Sequence, residues 1–275
     1  MSVILSRARP LLGTLVAIQV ETPAHDNACL AALAEAWTVI ERIAGVMSAH
    51  DESSDLGRMS RADVGQVLSV DHHTVQVLQA AQAWSRLSSG AFNPARAGAV
   101  LARRGERPGL AWHDSLATRM DDVEILSADR VRMRQAVALD FGGIAKGYAL
   151  DQAAQVLSRH GCAHALINGG GDLRVVGQRR WPIDVRHAGQ YLRDRPLREI
   201  TTLAEGAMAT SVADARETAF VRTVAGRGGP WRSATVLARD CLTADALTKW
   251  ALQASPLCPR LRSTLRLHGA RMWRT

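Results

Sequence analysis

The chain has 275 residues, of which 47% are hydrophobic and 22% are charged. This composition is typical of a globular protein and excludes collagen-like repeats, coiled coils and intrinsic disorder. The most apolar N-terminal stretch, residues 11–20, is about ten residues long, whereas a membrane-spanning helix needs ~18 apolar residues. No secretory signal or lipidated cysteine is recognisable, so we expect a soluble, cytoplasmic protein.

The formal net charge of +8 raises the question of nucleic-acid binding. Of the 34 basic residues only two, Lys146 and Lys249, are lysines, and the arginines are scattered along the chain. A basic nucleic-acid binder is therefore the least favoured class of function. In so arginine-rich a chain, we expect the remaining lysines where a compact ammonium is needed. The four cysteines form no C-x-x-C pair, which indicates neither a zinc site nor a disulfide framework.

The first predicted element is a strand over residues 11–20. Apolar residues at spacings of three and four then predict an amphipathic helix over 27–47, and a second helix from about Thr74 to Ser88. Short apolar segments bounded by Gly, Pro, Asp or Arg pairs predict further strands at 123–126, 130–138, 163–168, 172–177, 181–186 and 233–238.

The order of these elements is mixed rather than a regular βαβ alternation. It predicts an α+β fold with mixed, largely antiparallel sheets and packed helices. Residues 1–275 are expected to form a single domain, either undivided or as two closely packed halves. The Arg- and Gly-rich stretch 187–230 is the expected irregular region.

The densest chemistry lies where a predicted strand ends at Asp140. Gly142 and Gly143 turn the chain there, and a helix that carries Lys146 begins. Glycines at a helix start let backbone N–H groups approach an anion, and the helix dipole adds positive charge. A plain strand–helix turn with a surface lysine is the alternative. Neither G-x-G-x-x-G nor G-x-x-x-x-G-K-[ST] occurs, so Rossmann and P-loop sites are excluded.

A second glycine-rich segment runs from Asn168 to Asp172, between two predicted strands. Its three consecutive glycines permit close backbone approach to a ligand. Asn-Gly is equally expected in an ordinary hairpin turn, so both interpretations stay open.

The third segment is a predicted helix over residues 240–252. Its apolar stripe includes Leu247 and Trp250, while Asp245, Thr248 and Lys249 share the opposite face. A carboxylate and a hydroxyl are the hard oxygen ligands that Mg²⁺ takes beside phosphate oxygens. The alternative is an Asp–Lys pair on a solvated helix face.

Taken together, the three segments resemble the FAD:protein FMN transferase (ApbE) family. Further family motifs follow in order over most of the chain: Leu12-Gly13-Thr14, Met47-Ser48 with Ser54, Ser89 to Pro94, Ala209-Thr210-Ser211 and Ala244 to Leu247. The resemblance implies an ApbE-like fold that binds FAD with Mg²⁺. It also implies transfer of the FMN half of FAD to a Thr or Ser hydroxyl of an acceptor protein, with release of AMP.

The family pattern also implies which residues form the site, although it assigns no catalytic group here. The metal ligands would be the backbone carbonyl of Ala145, the carboxylate of Asp245 and the hydroxyl of Thr248. The residues expected around the flavin nucleotide are His50, Asp140, Gly142, Gly143, Lys146, Asn168, Gly169, Gly170, Gly171, Asp172, Thr210, Ser211 and Lys249.

Four departures from the family pattern accompany these matches. His50 stands where the family has a flavin-covering Tyr, and Asn93 stands where it has an Asp. Residues 219–226 carry none of the His, Asp and Pro of the family's H-I-I-D-P-x-T-G segment, and Lys249 stands where the family has a metal-binding Thr. These departures predict slow transfer and a weak dependence on Mg²⁺. An FAD-binding protein that has lost transfer and an FAD pyrophosphatase that uses water are the alternatives.

Overall fold

The computed structural model describes residues 2–23, 26–96, 119–184, 199–213 and 231–275. Within these ranges it contains the helices α1 (Asn27–Val46), α2 (Asp55–Ser60), α3 (His72–Leu87), α4 (Ala145–Arg159), α5 (Cys241–Gln253) and α6 (Pro259–Leu267), and a 3₁₀ turn at Met120–Asp122. None of these described helices has both the length and the apolar character needed to cross a membrane.

The described strands form three sheets in which all neighbouring strands are antiparallel. The largest sheet has seven strands in the order β1-β2-β6-β7-β10-β11-β12, and the others have the orders β3-β5-β4 and β8-β9. The strand bounds are β1 Ser2–Leu11, β2 Thr14–Pro23, β3 Val67–Ser69, β4 Val123–Ile125, β5 Arg130–Met133, β6 His164–Gly169, β7 Asp172–Val176, β8 Trp181–Asp184, β9 Glu199–Leu203, β10 Gly206–Val212, β11 Ser233–Ala238 and β12 Arg271–Arg274.

The main core lies between the seven-stranded sheet and the helices α1, α4 and α5. Alternate residues of β2, Val16, Ile18 and Val20, face these helices and are fully buried. Helix α4 packs against α1 on one side, α5 on another, and β6 and β7 beneath it. A smaller apolar cluster, which includes Leu173, Trp181 and Met208, joins the β8–β9 ribbon to the sheet. Because α4 and α5 share this core, their facing residues are held in fixed positions.

The expected α+β fold with largely antiparallel sheets is confirmed. The helix expected over 27–47 is α1, and the helix expected from Thr74 starts two residues earlier as α3, where the Asp71 side chain caps it by accepting the His73 N–H at 2.8 Å. The predicted strands at 123–126, 163–168, 172–177 and 233–238 match β4, β6, β7 and β11 within a residue or two. The 181–186 prediction matches β8 as far as Asp184.

Three predictions of extent are wrong. The expected strand over 11–20 contains a hairpin turn, because Leu12 and Gly13 take positive φ values of 56° and 71° and separate β1 from β2. The strand expected over 130–138 ends at Met133. The stretch 187–230, expected to be irregular, contains β9 and β10. The rest of that stretch, residues 187–198 and 214–230, lies outside the described residues.

Candidate functional site

A cluster of buried charges lies where α4, α5, β7 and β10 meet. Lys146, the second residue of α4, forms an ion pair with Asp172, the first residue of β7. The Lys146 side chain is 25% exposed and that of Asp172 is 3% exposed. Asp245 and Lys249, on α5, are 1% and 5% exposed. We call these four residues the lysine–aspartate cluster.

The predicted turn before α4 is built by Asp140. One carboxylate oxygen of Asp140 accepts a hydrogen bond from the Gly142 N–H at 2.6 Å, which closes an Asx turn. Phe141 and Ile144 are buried on either side of this turn and fix its direction. The turn delivers Lys146 to the first turn of α4, where the helix dipole is positive.

The glycines of the β6–β7 turn are explained in part by contacts within the protein. The Asn168 side chain accepts the Gly171 N–H at 2.9 Å, and Gly170 and Gly171 have positive φ values of 69° and 104°. A Cβ on Gly170 would lie 3.0 Å from Thr14 Cβ and from its methyl carbon Cγ2, and closer still to its hydroxyl. A Cβ on Gly169 would lie 3.2 Å from the Leu150 methyls. By contrast, the Cα of Gly171 faces open space.

Strand β10 lies between this turn and α5 in space, because it pairs with β7 and packs against α5. The Thr210 N–H donates to Asp172 Oδ1 at 3.3 Å, and the Thr210 hydroxyl lies 2.9 Å from that of Thr235 on β11. The next residue, Ser211, points its hydroxyl toward α5. Thr210 and Ser211, predicted from the sequence as nucleotide-binding residues, therefore adjoin both carboxylate-bearing elements.

A directed chain of hydrogen bonds joins Lys249 to the backbone of its own helix. Lys249 Nζ donates to Ser211 Oγ at 2.7 Å, and Ser211 Oγ lies 2.7 Å from Thr248 Oγ1. The Thr248 hydroxyl donates to the Asp245 carbonyl oxygen at 2.7 Å. Each hydroxyl has one proton to donate, so this order makes Ser211 the donor to Thr248.

Helix α5 is anchored by Asp151, a residue that sequence reasoning missed. The two carboxylate oxygens of Asp151, on α4, accept the N–H groups of Cys241 and Leu242 at 2.8 Å each. These N–H groups belong to the first turn of α5, where intrahelical acceptors are lacking. Burial raises the pKa of Asp151 to about 6, although the two backbone N–H groups lower it.

Gly147 permits the close approach of α4 to α5. A Cβ at this position would lie 2.7 Å from the carbonyl carbon of Cys241 and 2.9 Å from the Leu242 nitrogen. Only a glycine lets the two backbones meet at this distance. Together with Asp151, Gly147 sets the position of the lysine on α4 relative to the residues on α5.

The electrostatics of the cluster keep Lys146 protonated. Burial alone lowers the pKa of its ammonium, but the carboxylates of Asp172 and Asp245 raise it by more, so the net shift is upward. The same carboxylates act with burial to raise the pKa of Cys241, so its thiol stays protonated. Lys146 is therefore a permanent positive charge at the start of α4.

Comparison with known proteins decides the family. The family model described as "ApbE family" matches residues 12–256. The chain belongs to the ApbE family. Two curated relatives, from Treponema pallidum (strain Nichols) and Rhodobacter capsulatus, are both named FAD:protein FMN transferase and are 31% and 32% identical over 186 and 135 residues. The matches cover 62% and 44% of this chain but 51% and 26% of those relatives' own lengths.

Solved ApbE structures share the fold along the whole chain. The ApbE protein of Thermotoga maritima is 26% identical, with a TM-score of 0.77 over 99% of this chain and 94% of its own. The flavinyl transferase ApbE of Pseudomonas stutzeri is 19% identical, with a TM-score of 0.79 over 98% and 90%. The flavin transferase ApbE of Vibrio cholerae is 19% identical, with a TM-score of 0.77 over 100% of this chain and 94% of its own.

The remaining ApbE motifs lie at different distances from the cluster. In the Ser89–Pro94 motif, Phe92 is buried beside Gly143, and the Asn93 side chain caps the following turn by accepting the Ala95 N–H at 3.1 Å. His50 is exposed, and its backbone N–H bonds Ser48 Oγ at 3.3 Å within its own loop. The structure thus does not bring His50 into the hydrogen-bonded cluster. The divergent segment 219–226 lies outside the described residues.

The chemistry of their oxygen atoms tests whether the three residues predicted to bind Mg²⁺ can hold a divalent cation. The Thr248 hydroxyl is already committed to Ser211 and to the Asp245 backbone. The ammonium of Lys249 lies on the same helix face as the Asp245 carboxylate, one turn away. This set, completed by the Ala145 carbonyl, has oxygen ligands of the kind that Mg²⁺ takes beside phosphate oxygens, but the positive charge on the same helix face disfavours a divalent cation. In this arrangement it does not fit a divalent cation.

A second polar cluster lies away from these motifs, at the start of α3. Single ligand atoms of Asp71, His72 and His73 lie within 4.8 Å of one another. However, Asp71 is paired with Arg42 at 2.6 Å, and the positive end of the helix dipole lies beside it. His73 Nδ1 bonds the Tyr148 hydroxyl at 2.7 Å, and burial lowers the His73 pKa. These features disfavour a bound cation and indicate a role in capping and packing α3.

Proposed function

We propose that this chain binds FAD at the lysine–aspartate cluster and transfers the FMN half of FAD to a Thr or Ser hydroxyl of an acceptor protein, releasing AMP. The observation that carries the proposal is that each of the two lysines of this arginine-rich chain adjoins a glycine-rich turn, Lys249 at Gly143 and Lys146 at Gly169. The names of the curated relatives support the same activity.

The cluster suits the pyrophosphate of a dinucleotide. Lys146 stays protonated beside the first turn of α4, whose N–H groups and dipole attract an anion. The open space over Gly171 leaves room for a ligand to approach the β6–β7 backbone. Asp172, itself held by the Thr210 N–H, keeps the Lys146 ammonium in place. These residues position the nucleotide, and the Lys146 ammonium with the first turn of α4 offsets part of its negative charge.

The proposed reaction exchanges one P–O bond for another. The acceptor hydroxyl oxygen attacks the phosphorus on the flavin side, and a new P–O bond forms. The bond from that phosphorus to the bridging oxygen breaks, and AMP leaves with the oxygen. The hydroxyl proton passes to a base or to solvent. The chain's own contribution is to hold the two reactants together and to stabilise the charge on the phosphates.

A second candidate function is hydrolysis of FAD to FMN and AMP, with water in place of the acceptor. Residues 219–226 lack His, Asp and Pro, so this segment supplies no dedicated base for an acceptor hydroxyl or for water and does not select one nucleophile over the other. General acid–base help is typically worth ~10²–10⁴-fold in rate. For the same reason we expect transfer, where it occurs, to be slow.

The deciding experiment incubates the protein with FAD and a candidate acceptor, with and without Mg²⁺. The intact mass of the acceptor and the amount of AMP are measured together. A mass gain of one FMN on the acceptor, equal in amount to the AMP released, supports transfer. A matched acceptor with Val in place of the target Thr should gain nothing. Release of AMP without any gain in mass would instead identify the pyrophosphatase.

A further inference from the structure

We propose that the Lys249 ammonium, held by Ser211, supplies the positive charge beside Asp245 that a divalent cation would otherwise supply, so that FAD binds here without a metal. This inference rests on the proposed function, because it concerns how the same site holds the pyrophosphate. It assigns Lys249 a direct role in binding the ligand.

The position of Lys249 is fixed by its surroundings. The residue is 5% exposed, and Nζ donates to Ser211 Oγ at 2.7 Å. A Cβ on Gly143 would lie 3.1 and 3.2 Å from Lys249 Cγ and Cε, so the glycine makes room for the aliphatic stem. A buried lysine packed in this way does not swing out to solvent without losing these contacts. The ammonium is therefore held at Ser211, on the side of α5 that also carries Asp245 one turn away.

The charges of the cluster favour an ammonium over a dication. Its two lysines and two aspartates are formally balanced, and Asp172 is already paired with Lys146. A divalent cation bound at Asp245 would add two positive charges one helical turn from Lys249, among buried residues that solvent screens little. Replacing Lys249 by a neutral residue would leave the cluster with one net negative charge, which attracts a cation.

The direction of the hydrogen bonds from Lys249 through Ser211 and Thr248 also disfavours a divalent cation at Asp245. Because Lys249 donates to Ser211, the Ser211 proton is directed to Thr248, and the Thr248 proton to the Asp245 carbonyl. The proton and one lone pair of each hydroxyl are thereby used within the chain. Loss of the ammonium would release the Ser211 oxygen as an acceptor. Lys249 thus controls both the charge and the available oxygen ligands.

The first test measures metal binding to the protein without FAD. Mn²⁺ is titrated into the wild type and into Lys249→Thr, and free Mn²⁺ is followed by electron paramagnetic resonance. We expect Lys249→Thr to bind Mn²⁺ at least about tenfold more tightly than the wild type, which corresponds to ~1.4 kcal/mol. Equal or tighter binding by the wild type would overturn the proposal. This readout does not depend on FAD or on activity.

The second test measures FAD affinity by flavin fluorescence, with excess Mg²⁺ and with a chelator. The wild-type dissociation constant should change by less than about twofold, whereas that of Lys249→Thr should weaken about tenfold or more in chelator. A wild type that binds FAD only with Mg²⁺ would overturn the proposal. If neither protein binds FAD at all, the proposed function fails, and the Mn²⁺ titration still decides the role of Lys249.

Lys249→Met separates charge from packing. Methionine keeps most of the apolar stem against Gly143 but removes the ammonium. We expect it to fold, as judged by circular dichroism and thermal melting, and to lose FAD affinity in chelator as Lys249→Thr does. Unchanged FAD affinity in Lys249→Met would show that the stem alone matters and would overturn the proposal. This variant also provides the test should Lys249→Thr fail to fold.

Discussion

The Gly147→Ala substitution tests the contact that places α4 against α5. Gly147 lies within α4, so alanine should improve helix propensity there by ~0.5–1 kcal/mol. The new methyl, however, would lie 2.7 Å from the Cys241 carbonyl carbon, whereas ordinary contacts begin at 3.4 Å. The two helices would have to separate by at least about 0.7 Å, because the Cys241 carbonyl oxygen lies closer still. No flexible side chain is available to absorb this movement, because the neighbours are backbone atoms.

The expected magnitude follows from these opposing effects. Forcing an extra methyl into a well-packed core typically costs ~1–3 kcal/mol, and more where backbone must move. The overlap at Gly147 falls at the upper end of that range, so a net loss of about 2 kcal/mol should remain after the gain in helix propensity. For a chain of this size, that loss lowers the melting temperature by roughly 4–8 °C.

Gly45→Ala provides the matched control. Gly45 also lies in a helix, α1, but a Cβ there would meet nothing within 4 Å. The Gly45→Ala variant gains helix propensity without any steric overlap, so it should raise the free energy of unfolding by ~0.5–1 kcal/mol. Urea unfolding of both variants measures the difference, which we expect to be about 3 kcal/mol. FAD affinity should fall in Gly147→Ala alone. Equal stabilities of the two variants would refute the close approach of α4 and α5.

Three further predictions concern the same elements. First, burial raises the pKa of Asp151 to about 6, so its protonated form favours the folded state: this contribution is present in full below pH ~3.8 and is lost as the pH rises through about 6. In urea unfolding between pH 4 and 7, the wild-type free energy of unfolding should fall with rising pH by up to about 3 kcal/mol, and that of Asp151→Asn should lack this fall. If the two free energies of unfolding change with pH in parallel, the assignment to Asp151 is contradicted. Second, Gly170→Ala should destabilise more than Gly13→Ala, because the φ values are similar, 69° and 71°, but only the Cβ added at Gly170 would overlap the Thr14 side chain. Thr14→Ala should recover part of the difference in a double-mutant cycle. Third, Lys146→Met should lower the free energy of unfolding by ~3–5 kcal/mol and weaken FAD binding, because it leaves the Asp172 carboxylate buried without the Lys146 ammonium. The double variant with Asp172→Asn should recover the stability but not the FAD affinity.

Local patterns predicted much of the fold. The apolar spacing over residues 27–47 predicted α1 because Trp37 and Ile40 lie on one buried helix face. The hairpin between β1 and β2 was missed because Leu12, an unusual residue for a positive φ, forms part of its turn. A Leu-Gly pair inside an apolar run gives no strong turn signal. The prediction that the stretch 187–230 is irregular was wrong because the stretch is polar overall, although it contains the strands β9 and β10.

The candidate site was predictable only where its residues lie in glycine-rich or charged motifs. Lys146, Asp172 and Asp245 were predicted in this way, and the structure places them near one another, while their roles toward FAD stay predictions. Asp151 and Gly147 were missed because their partners, the N–H groups of Cys241 and Leu242, lie about ninety residues further along the chain. Only the crossing of α4 and α5 reveals why a carboxylate and a glycine are needed at these positions.

The most direct test of the FAD site is hydrogen–deuterium exchange of the wild-type protein with and without saturating FAD. Amide exchange reports local protection, so it locates the ligand without any mutation. We expect FAD to slow exchange in peptides that cover residues 140–147, 168–172 and 209–211 and the first two turns of α5, and to leave α3 and α6 unchanged. Protection confined to other segments, or none at saturating FAD, would contradict the assignment of the lysine–aspartate cluster as the FAD site.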